Sequence, residues 1–341
     1  MTTRIRMAML GLNFGGWMLE HELGAGAGQA AVEIVAVCDR DATKVATWSA
    51  RLGVPGYTDL TELLAHPGLQ AIGVFTGPVG RADLIERIIL AGYDVMTTKP
   101  FDGDVHRATA VLALATRLGR VVHLNSPAPQ MTPDVVQLAA WATEYQLGRP
   151  IAYRATTWCA YREQPDGSWY DDPLACPAAP LFRLGIYLMN DVSWFFGQIA
   201  RVDVQQTRIF TQRPTADNAQ LAVQYVDGAL GSIFASFCVD DQQYYRCSLE
   251  INFARGTLYR NVGLAPVANP HVQLAGAVVV DGQSLQLHAE TAPQGAGYQW
   301  QVFRDAVLRG EGTSGAYVER IVAGLQMLDA MRIASNNRGA E

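Results

Sequence analysis

Residues 5–16 read IRMAMLGLNFGG and join an apolar run of six residues to a glycine-rich turn, after which residues 14–23 follow a helical pattern. The turn resembles the G-x-G-x-x-G template, in which glycines allow a tight turn, close backbone approach to a pyrophosphate, and helix–strand packing. Gly11 and Gly16 match the template, and Asn13 stands in place of the middle glycine. Since Asn tolerates unusual backbone angles better than most residues, the turn remains compatible with nucleotide binding.

An acidic residue, Asp39, directly follows the second apolar run, Val32–Cys38. It lies 23 residues after Gly16. A carboxylate there can accept hydrogen bonds from both ribose hydroxyls of NAD and repels the extra phosphate of NADP. The alternative is a surface aspartate that caps the next helix. The sequence therefore predicts a dinucleotide site that prefers NAD, with NADP left open because Arg40 could support its phosphate.

The first 125 residues alternate apolar runs with helical patterns, which is typical of βαβ units and a parallel sheet. The apolar runs are 5–10, 32–38, 71–75, 95–97 and 121–125, and the helical patterns are 14–23, 43–52, 60–65, 81–91 and 105–118. Near-continuous apolar strands indicate that helices cover both faces of the sheet. We therefore predict a Rossmann domain over residues 1–127.

The pattern changes after a helix predicted near residues 132–143. Six long runs with turn signals between them indicate a large, open, mostly antiparallel sheet: 151–158, 202–211, 221–225, 229–239, 244–253 and 256–259. Helices are predicted at 181–196, 300–308 and 317–336, so we predict that residues 128–341 form a second α/β domain that serves oligomerisation. Helices on one face would leave the other face exposed, which favours a homodimer or homotetramer.

Composition excludes several classes of protein. The net charge of −6 and pI near 5.5, without a basic run, argue against a nucleic-acid binder. No stretch approaches about 18 uninterrupted apolar residues, and the N-terminus lacks a signal-peptide pattern. The five cysteines are scattered without CxxC spacing, so we expect neither a disulfide framework nor a metal site. These features predict a cytoplasmic protein that does not bind membranes.

One lysine stands out in a chain with only two, Lys44 and Lys99, among 26 basic residues. Lys99 precedes Pro100 at the end of a predicted strand, on the sheet edge where ligands bind in such folds. Pro100 restricts the backbone of the lysine to extended geometry. A lysine here can hydrogen-bond a substrate hydroxyl and the nicotinamide ribose and move the proton that accompanies hydride transfer. A solvated lysine at the strand end is the alternative.

With these motifs in place, the chain resembles the glucose-fructose oxidoreductase / inositol dehydrogenase / MocA-type oxidoreductases. The likeness extends through residues 227–232 (DGALGS), residues 256–258 (GTL) and the C-terminal helix after Ser314-Gly315. It implies a Rossmann domain that binds NAD(P) and, over residues 128–341, a C-terminal domain with an open sheet that binds substrate. It also implies oxidation of a hydroxyl on a sugar, cyclitol or related polyol, or reduction of the ketone.

The chain departs from the family pattern at Thr98, where the family has Glu before the lysine. It departs again on the helix that carries Asp-x-Gly-x-His-x-x-Asp, where Arg183, Tyr187 and Asn190 replace Asp, His and Asp. Tyr187 and Asn190 share a helix face, and Tyr-x-x-Asn resembles the variant in glucose-fructose oxidoreductase itself. We expect Tyr187 to be catalytic and Asn190 to bind substrate, although both could be core residues. Arg183 could bind a substrate carboxylate or pair with Asp191 or Asp171.

The segment 158–180 is rich in Trp, Tyr, Arg and Asp, which suits either a saccharide ligand or an oligomer contact. Its candidate substrate-binding residues are Tyr161, Arg162 and Trp169. The candidate cofactor-binding residues lie in the glycine turn and after the predicted strands: Gly11, Asn13, Phe14, Gly15, Gly16, Asp39, Arg40, Thr76, Gly77, Pro78, Lys99 and Asn125.

Three functions remain open at this point. The first is an NAD(P)-dependent oxidoreductase with Lys99 and Tyr187 as catalytic residues. The second is a non-catalytic nucleotide- and sugar-sensing regulator, which the absent family Glu and His favour. The third is an NAD-dependent glycosidase that recycles its cofactor.

Overall fold

The computed structural model of the chain describes residues 3–24, 26–125, 129–243, 245–264, 271–292 and 298–338. The chain divides into two compact units, Met1–Pro129 with Ala296–Val322 and Gln130–Gly295 with Ala323–Glu341. Within the described ranges, no helix is both long enough and apolar enough to cross a membrane.

The first unit contains a parallel sheet of six strands in the order β3-β2-β1-β4-β5-β6. This is the strand order of a Rossmann fold, in which ligands bind at the carboxyl ends of the strands. The strands of this sheet are β1 (Ile5–Leu10), β2 (Val32–Cys38), β3 (Gly56–Tyr57), β4 (Ala71–Val74), β5 (Asp94–Thr98) and β6 (Val122–Asn125). Every residue of β4, β5 and β6 is buried, as expected for strands covered on both faces.

Six α-helices lie entirely in the first unit in the described ranges: α1 (Phe14–Met18), α2 (Ala42–Leu52), α3 (Leu60–Leu64), α4 (Arg81–Leu90), α5 (Val105–Leu118) and α8 (Trp300–Arg309). Aspartates begin three of them, because the carboxylates of Asp41, Asp59 and Asp104 accept hydrogen bonds from the first free N–H groups of α2, α3 and α5. Helix α1 continues as a wider turn over Leu19–Leu23.

Residues 298–322 pack with the first unit, although the sequence pattern predicts that all of 128–341 belongs to the second domain. The physical reason lies in α8, where Trp300 and Phe303 are completely buried in the core that contains Met9 and Met18. An indole and a phenyl ring of this size contribute a large apolar area to whichever core they enter.

The second unit contains a sheet of eight strands in the order β14-β13-β12-β11-β7-β10-β9-β8. The strands of this sheet are β7 (Pro150–Trp158), β8 (Ile199–Thr207), β9 (Asn218–Tyr225), β10 (Leu230–Ser236), β11 (Ser248–Phe253), β12 (Gly256–Arg260), β13 (Val272–Val280) and β14 (Gln283–Thr291). Strands β7 and β10 pair in parallel and the other neighbours are antiparallel, which confirms the predicted mostly antiparallel sheet.

Alternation along the strands leaves one face of this sheet buried and the other partly exposed. Tyr153, Ile251 and Leu258 are buried, while their neighbours Glu250 and Tyr259 are half-buried. The helices of the second unit are α6 (Pro133–Glu144), α7 (Ile186–Val192) and the remainder of α9 (Gly315–Arg338), which begins in the first unit. The single helix predicted over 181–196 is a wide turn over Leu181–Gly185 followed by α7.

Candidate functional site

The glycine turn after β1 has the geometry that a close ligand approach requires. Gly11 has φ +90°, and a Cβ at this position would lie 2.8 Å from the Thr76 backbone nitrogen. Only glycine fits there without strain. Asn13 has φ −74° and ψ −84°, outside the usual helical and extended regions, a conformation that asparagine tolerates better than most residues.

The other two glycines of the turn serve packing inside the first unit. A Cβ at Gly15 would lie 3.1 Å from the Met9 sulfur, and one at Gly16 would lie 2.9 Å from the Trp48 ring. The last glycine therefore keeps α1 close to α2. Phe14 stays 40% exposed, and its ring stacks on Trp17 at a centroid distance of 5.7 Å.

Asp39 follows β2 and turns towards the glycine turn. Its Oδ2 accepts a hydrogen bond from the Leu12 N–H at 2.7 Å, and its Oδ1 accepts one from the Asp41 N–H at 3.0 Å. The helix cap that could have explained Asp39 is made by Asp41 instead. Asp39 therefore remains a ribose-binding candidate. Arg40 beside it is exposed.

The loop after β4 holds Thr76, Gly77 and Pro78, and Thr76 and Gly77 are half-buried. Strand β5 ends at Thr98, and Lys99 follows it, half-buried, before a cis peptide bond to Pro100. The hydroxyls of Thr98 and Tyr298 are 3.2 Å apart. Thr98, which stands in place of the family's glutamate, is therefore hydrogen-bonded to a tyrosine that was not predicted from the sequence.

Strand β6 ends at Asn125, which is 1% exposed. Its Oδ1 accepts a hydrogen bond from the Gln299 N–H at 3.0 Å, while its Nδ2 has no acceptor among the described residues. A buried donor without a partner is costly, so this amide suits a ligand oxygen. His123 on the same strand is also buried. Burial lowers the pKa of His123 to about 4, although a hydrogen bond with Gln299 acts in the opposite direction.

These residues of the first unit fit a dinucleotide. The Gly11 turn leaves the space that a Cβ would fill, and Asp39 offers a carboxylate. At the same sheet edge, Asn125 offers a buried donor that has no acceptor in the described part of the chain. Parallel strands bring their carboxyl ends to one edge, which places Gly11, Lys99 and Asn125 along it. Among the described residues, no group of three or more His, Cys, Asp or Glu could hold a metal ion.

In the second unit, α7 carries Tyr187 and Asn190, with Tyr187 half-buried and Asn190 7% exposed. The helix is anchored by the next residue, since Asp191 Oδ2 accepts a hydrogen bond from Arg260 Nη1 at 2.7 Å. Arg260 is fully buried and gives a second bond of 2.7 Å to Asp134 at the start of α6. This buried triad fixes the helix that carries the two candidate residues.

Arg183 pairs with neither Asp191 nor Asp171, the partners considered from the sequence. Its guanidinium gives two hydrogen bonds to Glu163, of 2.6 and 2.7 Å, and lies over the Tyr170 ring at 3.9 Å. Burial disfavours its charged form, yet the bonds to Glu163 and the field of Tyr170 outweigh burial and raise the pKa of Arg183. The bidentate pair therefore occupies the guanidinium edge that a substrate carboxylate would need.

Asp171 binds Arg213 instead, through a contact of 2.5 Å to Nη1. Arg213 also bonds Glu163 and Asp166, so two arginines and three acids tie residues 163–171 to residues 183 and 213. Glu163 and Arg213 were missed because neither belongs to a local motif. Glu163 lies 20 residues before Arg183 and 50 residues before Arg213, so no local pattern connects it with either arginine.

The aromatic candidates lie around this cluster. The Tyr161 ring lies 5.1 Å from Phe237, and Trp169 lies 4.2 Å from Tyr170 between centroids. Arg162 donates to the carbonyls of Phe237 and Cys238 at 3.2 and 3.1 Å. A cavity of about 470 Å³ in the second unit is lined by none of the residues predicted for the site.

The strand order, the Gly11 turn and Asp39 define a dinucleotide-binding protein with a second α/β unit. Residues 5–126 match the oxidoreductase family with an NAD-binding Rossmann fold, and residues 135–259 match the GFO/IDH/MocA C-terminal domain. The chain belongs to the GFO/IDH/MocA family of oxidoreductases, which confirms the resemblance and the fold class inferred from the sequence.

Individual relatives are distant. D-apiose dehydrogenase from Paraburkholderia graminis is 22% identical over 236 residues, which are 66% of this chain and only 60% of the dehydrogenase. The 3-ketoreductase KijD10 from Actinomadura kijaniata, solved with NADP and TDP-benzene, is 19% identical with a TM-score of 0.72, covering 97% of this chain and 98% of the other. An NAD-binding oxidoreductase from Klebsiella pneumoniae is 17% identical with a TM-score of 0.70, covering 98% and 97%. These solved structures show a shared fold.

Proposed function

We propose that the chain is an NAD(P)-dependent dehydrogenase or reductase acting on a hydroxyl or ketone carbon of a sugar, cyclitol or related polyol. The observation that carries the proposal is the position of Lys99, directly after β5 at the ligand-binding edge of the dinucleotide sheet. An amine there can act on the oxygen of a substrate while Gly11 and Asn125 face the cofactor.

When bound, the nicotinamide supplies or accepts the hydride, which is the chemistry of the cofactor rather than of the protein. Lys99 hydrogen-bonds the substrate oxygen and holds or releases the proton that accompanies oxidation or reduction. On the substrate side, Tyr187 is the proposed second proton carrier and Asn190 the proposed hydrogen-bonding partner of a hydroxyl.

The relatives support these assignments. One relative is a dehydrogenase of D-apiose, and one structural neighbour is a 3-ketoreductase. Solved variants of the ketoreductase replace a lysine by alanine or glutamate and a tyrosine by phenylalanine, the same two residue types proposed here.

Pairing of Arg183 with Glu163 favours an uncharged substrate over a sugar acid. The aromatic rings of Tyr161 and Trp169 suit the apolar faces of sugar rings. We propose that Arg183 and Arg162 hold the segment that carries these rings, since both already bind protein groups.

For the nucleotide we propose NAD as the preferred form. The Asp39 carboxylate is held beside the glycine turn by the Leu12 N–H, where it would meet a ribose and repel a 2′-phosphate. Exposed Arg40 is the group that would permit NADP.

The experiment that tests the function is a screen of sugars, cyclitols and polyols against NAD and NADP, followed by absorbance of the reduced nicotinamide. We expect turnover, and a loss of about 10²-fold or more in kcat for Lys99→Ala. Lys44→Ala is the matched control, because Lys44 is the other lysine of the chain and lies on α2.

Two outcomes would contradict the proposal. If the protein binds nucleotide but turns over no substrate, and Lys99→Ala binds the nucleotide equally well, the result would favour the sensor. Cleavage of a glycoside with no net change in NADH would favour the glycosidase.

We further infer a homodimer or homotetramer formed through the partly exposed face of the β7–β14 sheet, where Glu250 and Tyr259 lie. A face of this extent is more often covered by a second subunit than left open. Light scattering on Tyr259→Arg beside the unchanged protein tests it, and unchanged mass in the variant would count against this face.

A further inference from the structure

Lys99 lies in a turn whose main chain is held by a buried arginine. Arg81, at the start of α4, is 1% exposed, and its Nη1 donates to the Thr98 carbonyl at 2.6 Å. The same Nη1 donates to the Pro100 carbonyl, so the guanidinium bonds the main chain on both sides of the lysine.

The second arm of the same guanidinium reaches the neighbouring loop. Arg81 Nη2 donates to the Thr76 carbonyl, in the segment after β4 that is a candidate for contact with the cofactor. One side chain therefore links the ends of β4 and β5. A planar guanidinium can span three carbonyls, whereas the ammonium of a lysine acts as a point charge.

A second contact fixes the far end of this turn. Asp102 is 5% exposed, and its Oδ2 accepts a hydrogen bond from the Ala82 N–H at 2.7 Å. Residues 98–102 are thus tied twice to the first turn of α4, through the side chain of Arg81 and through the main chain of the next residue.

We propose that Arg81 is a positioning residue for Lys99. It holds the carbonyl groups of Thr98 and Pro100, the residues on either side of the lysine, and aligns them with the Thr76 loop, so that the amine leaves the end of β5 in one fixed direction. The inference rests on the proposed function of Lys99, because a fixed direction matters only for an amine that must meet a bound ligand.

The lysine content of the chain allows a direct test. With only Lys44 and Lys99 present, acetylation by a limiting active ester can be measured by mass spectrometry as the ratio of Lys99 to Lys44 modification. Lys44 lies on α2, pairs with Asp41 at 3.5 Å and serves as the internal reference. The measurement is made on the full chain without nucleotide and then with NADH or NADPH.

Three variants separate the possible roles. Arg81→Met removes the guanidinium, and Arg81→Lys keeps a positive charge but cannot span the three carbonyls. Arg107→Met is the control, because Arg107 bonds Asp83 and Glu86 on the same helix α4. None of the bonds described for that arginine reaches residues 98–102.

We expect the Lys99/Lys44 ratio without nucleotide to change at least about twofold in both Arg81 variants, and nucleotide protection of Lys99 to fall. Arg107→Met should keep both values. A purely structural arginine would lower Tm yet leave the ratio unchanged at temperatures where the variant is folded, and this result would overturn the inference. Wild-type labelling in Arg81→Lys would also overturn it, since a charge alone would then suffice.

Failure of the two proposals can be told apart. If neither nucleotide protects Lys99 in the unaltered protein, the proposed function fails, while the ratio without nucleotide still tests Arg81. If the unaltered protein and the Arg81 variants are protected equally, only the inference about Arg81 fails. Should Arg81→Met not fold, the same measurement on Arg81→Lys decides.

Discussion

The buried triad of Arg260, Asp134 and Asp191 gives a quantitative prediction about the helix that carries Tyr187. Replacing Arg260 by Met keeps an unbranched side chain but removes the cation. Both carboxylates then lose a hydrogen bond of 2.7 Å, at positions where they are 1% and 6% exposed.

The expected loss is large because the remaining charges cannot reach water. Removing one partner of a buried ion pair typically costs about 3–5 kcal/mol, so we expect about 4 kcal/mol at pH 8 for Arg260→Met. An exposed ion pair such as Arg309–Glu311 contributes little, because water and salt screen its charges, which makes Arg309→Met the control.

The loss must also depend on pH, and its sign follows from Asp191. Burial raises the pKa of Asp191, and Arg260 offsets only part of that rise. Without the arginine the folded pKa rises further, so the folded protein binds a proton that the unfolded chain releases. Stability then falls as pH increases above the ordinary value of 3.8, by about 1.4 kcal/mol per pH unit until the raised folded pKa is passed.

Urea unfolding followed by circular dichroism at pH 5.5 and pH 8 measures the effect. We expect Arg260→Met to lose clearly more stability at pH 8 than at pH 5.5, and the triple variant with Asp134→Asn and Asp191→Asn to recover most of it. An equal loss at the two pH values, or a triple variant no more stable than the single one, would refute the reasoning.

Two further predictions concern the first unit. Gly11→Ala should weaken NADH binding in a fluorescence titration by about tenfold or more, because the new Cβ would meet the Thr76 backbone. The control is Gly53→Ala, which is also at positive φ but has open space around it and should bind NADH normally. Equal weakening in both variants would contradict the steric argument. The free energy of unfolding of the unaltered protein should fall by up to about 3 kcal/mol between pH 6.5 and pH 4, because burial lowers the pKa of His123 to about 4. In His123→Phe the Tm should vary less with pH over this range. The same pH dependence of Tm in the variant and the unaltered protein would contradict the assignment.

The first unit was largely predictable because each βαβ step is encoded within about 30 residues. Strand β2 and helix α5 have the bounds expected from the sequence, Val32–Cys38 and Val105–Leu118. Apolar runs mark the strands, and aspartate caps mark three helix starts. These signals are local, so they can be read from the chain directly.

The hairpin β13–β14 was missed although a signal for it exists. Asp281-Gly282 connects the two strands with φ of +50° and +78°, the geometry of a tight hairpin turn that this dipeptide favours. Strand β13 contains Gly276 and two alanines, which lowers its strand propensity and conceals the alternation.

The partners within the site could not be predicted, because they are distant in sequence. Thr98 and Tyr298 are 200 residues apart, and Asp134 and Arg260 are 126 apart. Charge and periodicity identify an arginine or a threonine as unusual. They do not indicate which of many acids or hydroxyls the fold will bring to it.

At two of the four positions where this chain departs from the family pattern, a partner accompanies the change. Thr98, in place of a glutamate, shares a hydrogen bond with Tyr298, and Arg183, in place of an aspartate, is matched by Glu163. A buried guanidinium without that carboxylate would cost several kcal/mol, so the arginine and the glutamate stabilise the fold only together. Restoring the family aspartate at position 183 alone would set it beside Glu163 and repel it. Positions 98 and 183 therefore form paired arrangements, which favours a site adapted to a different ligand over one that has lost its function.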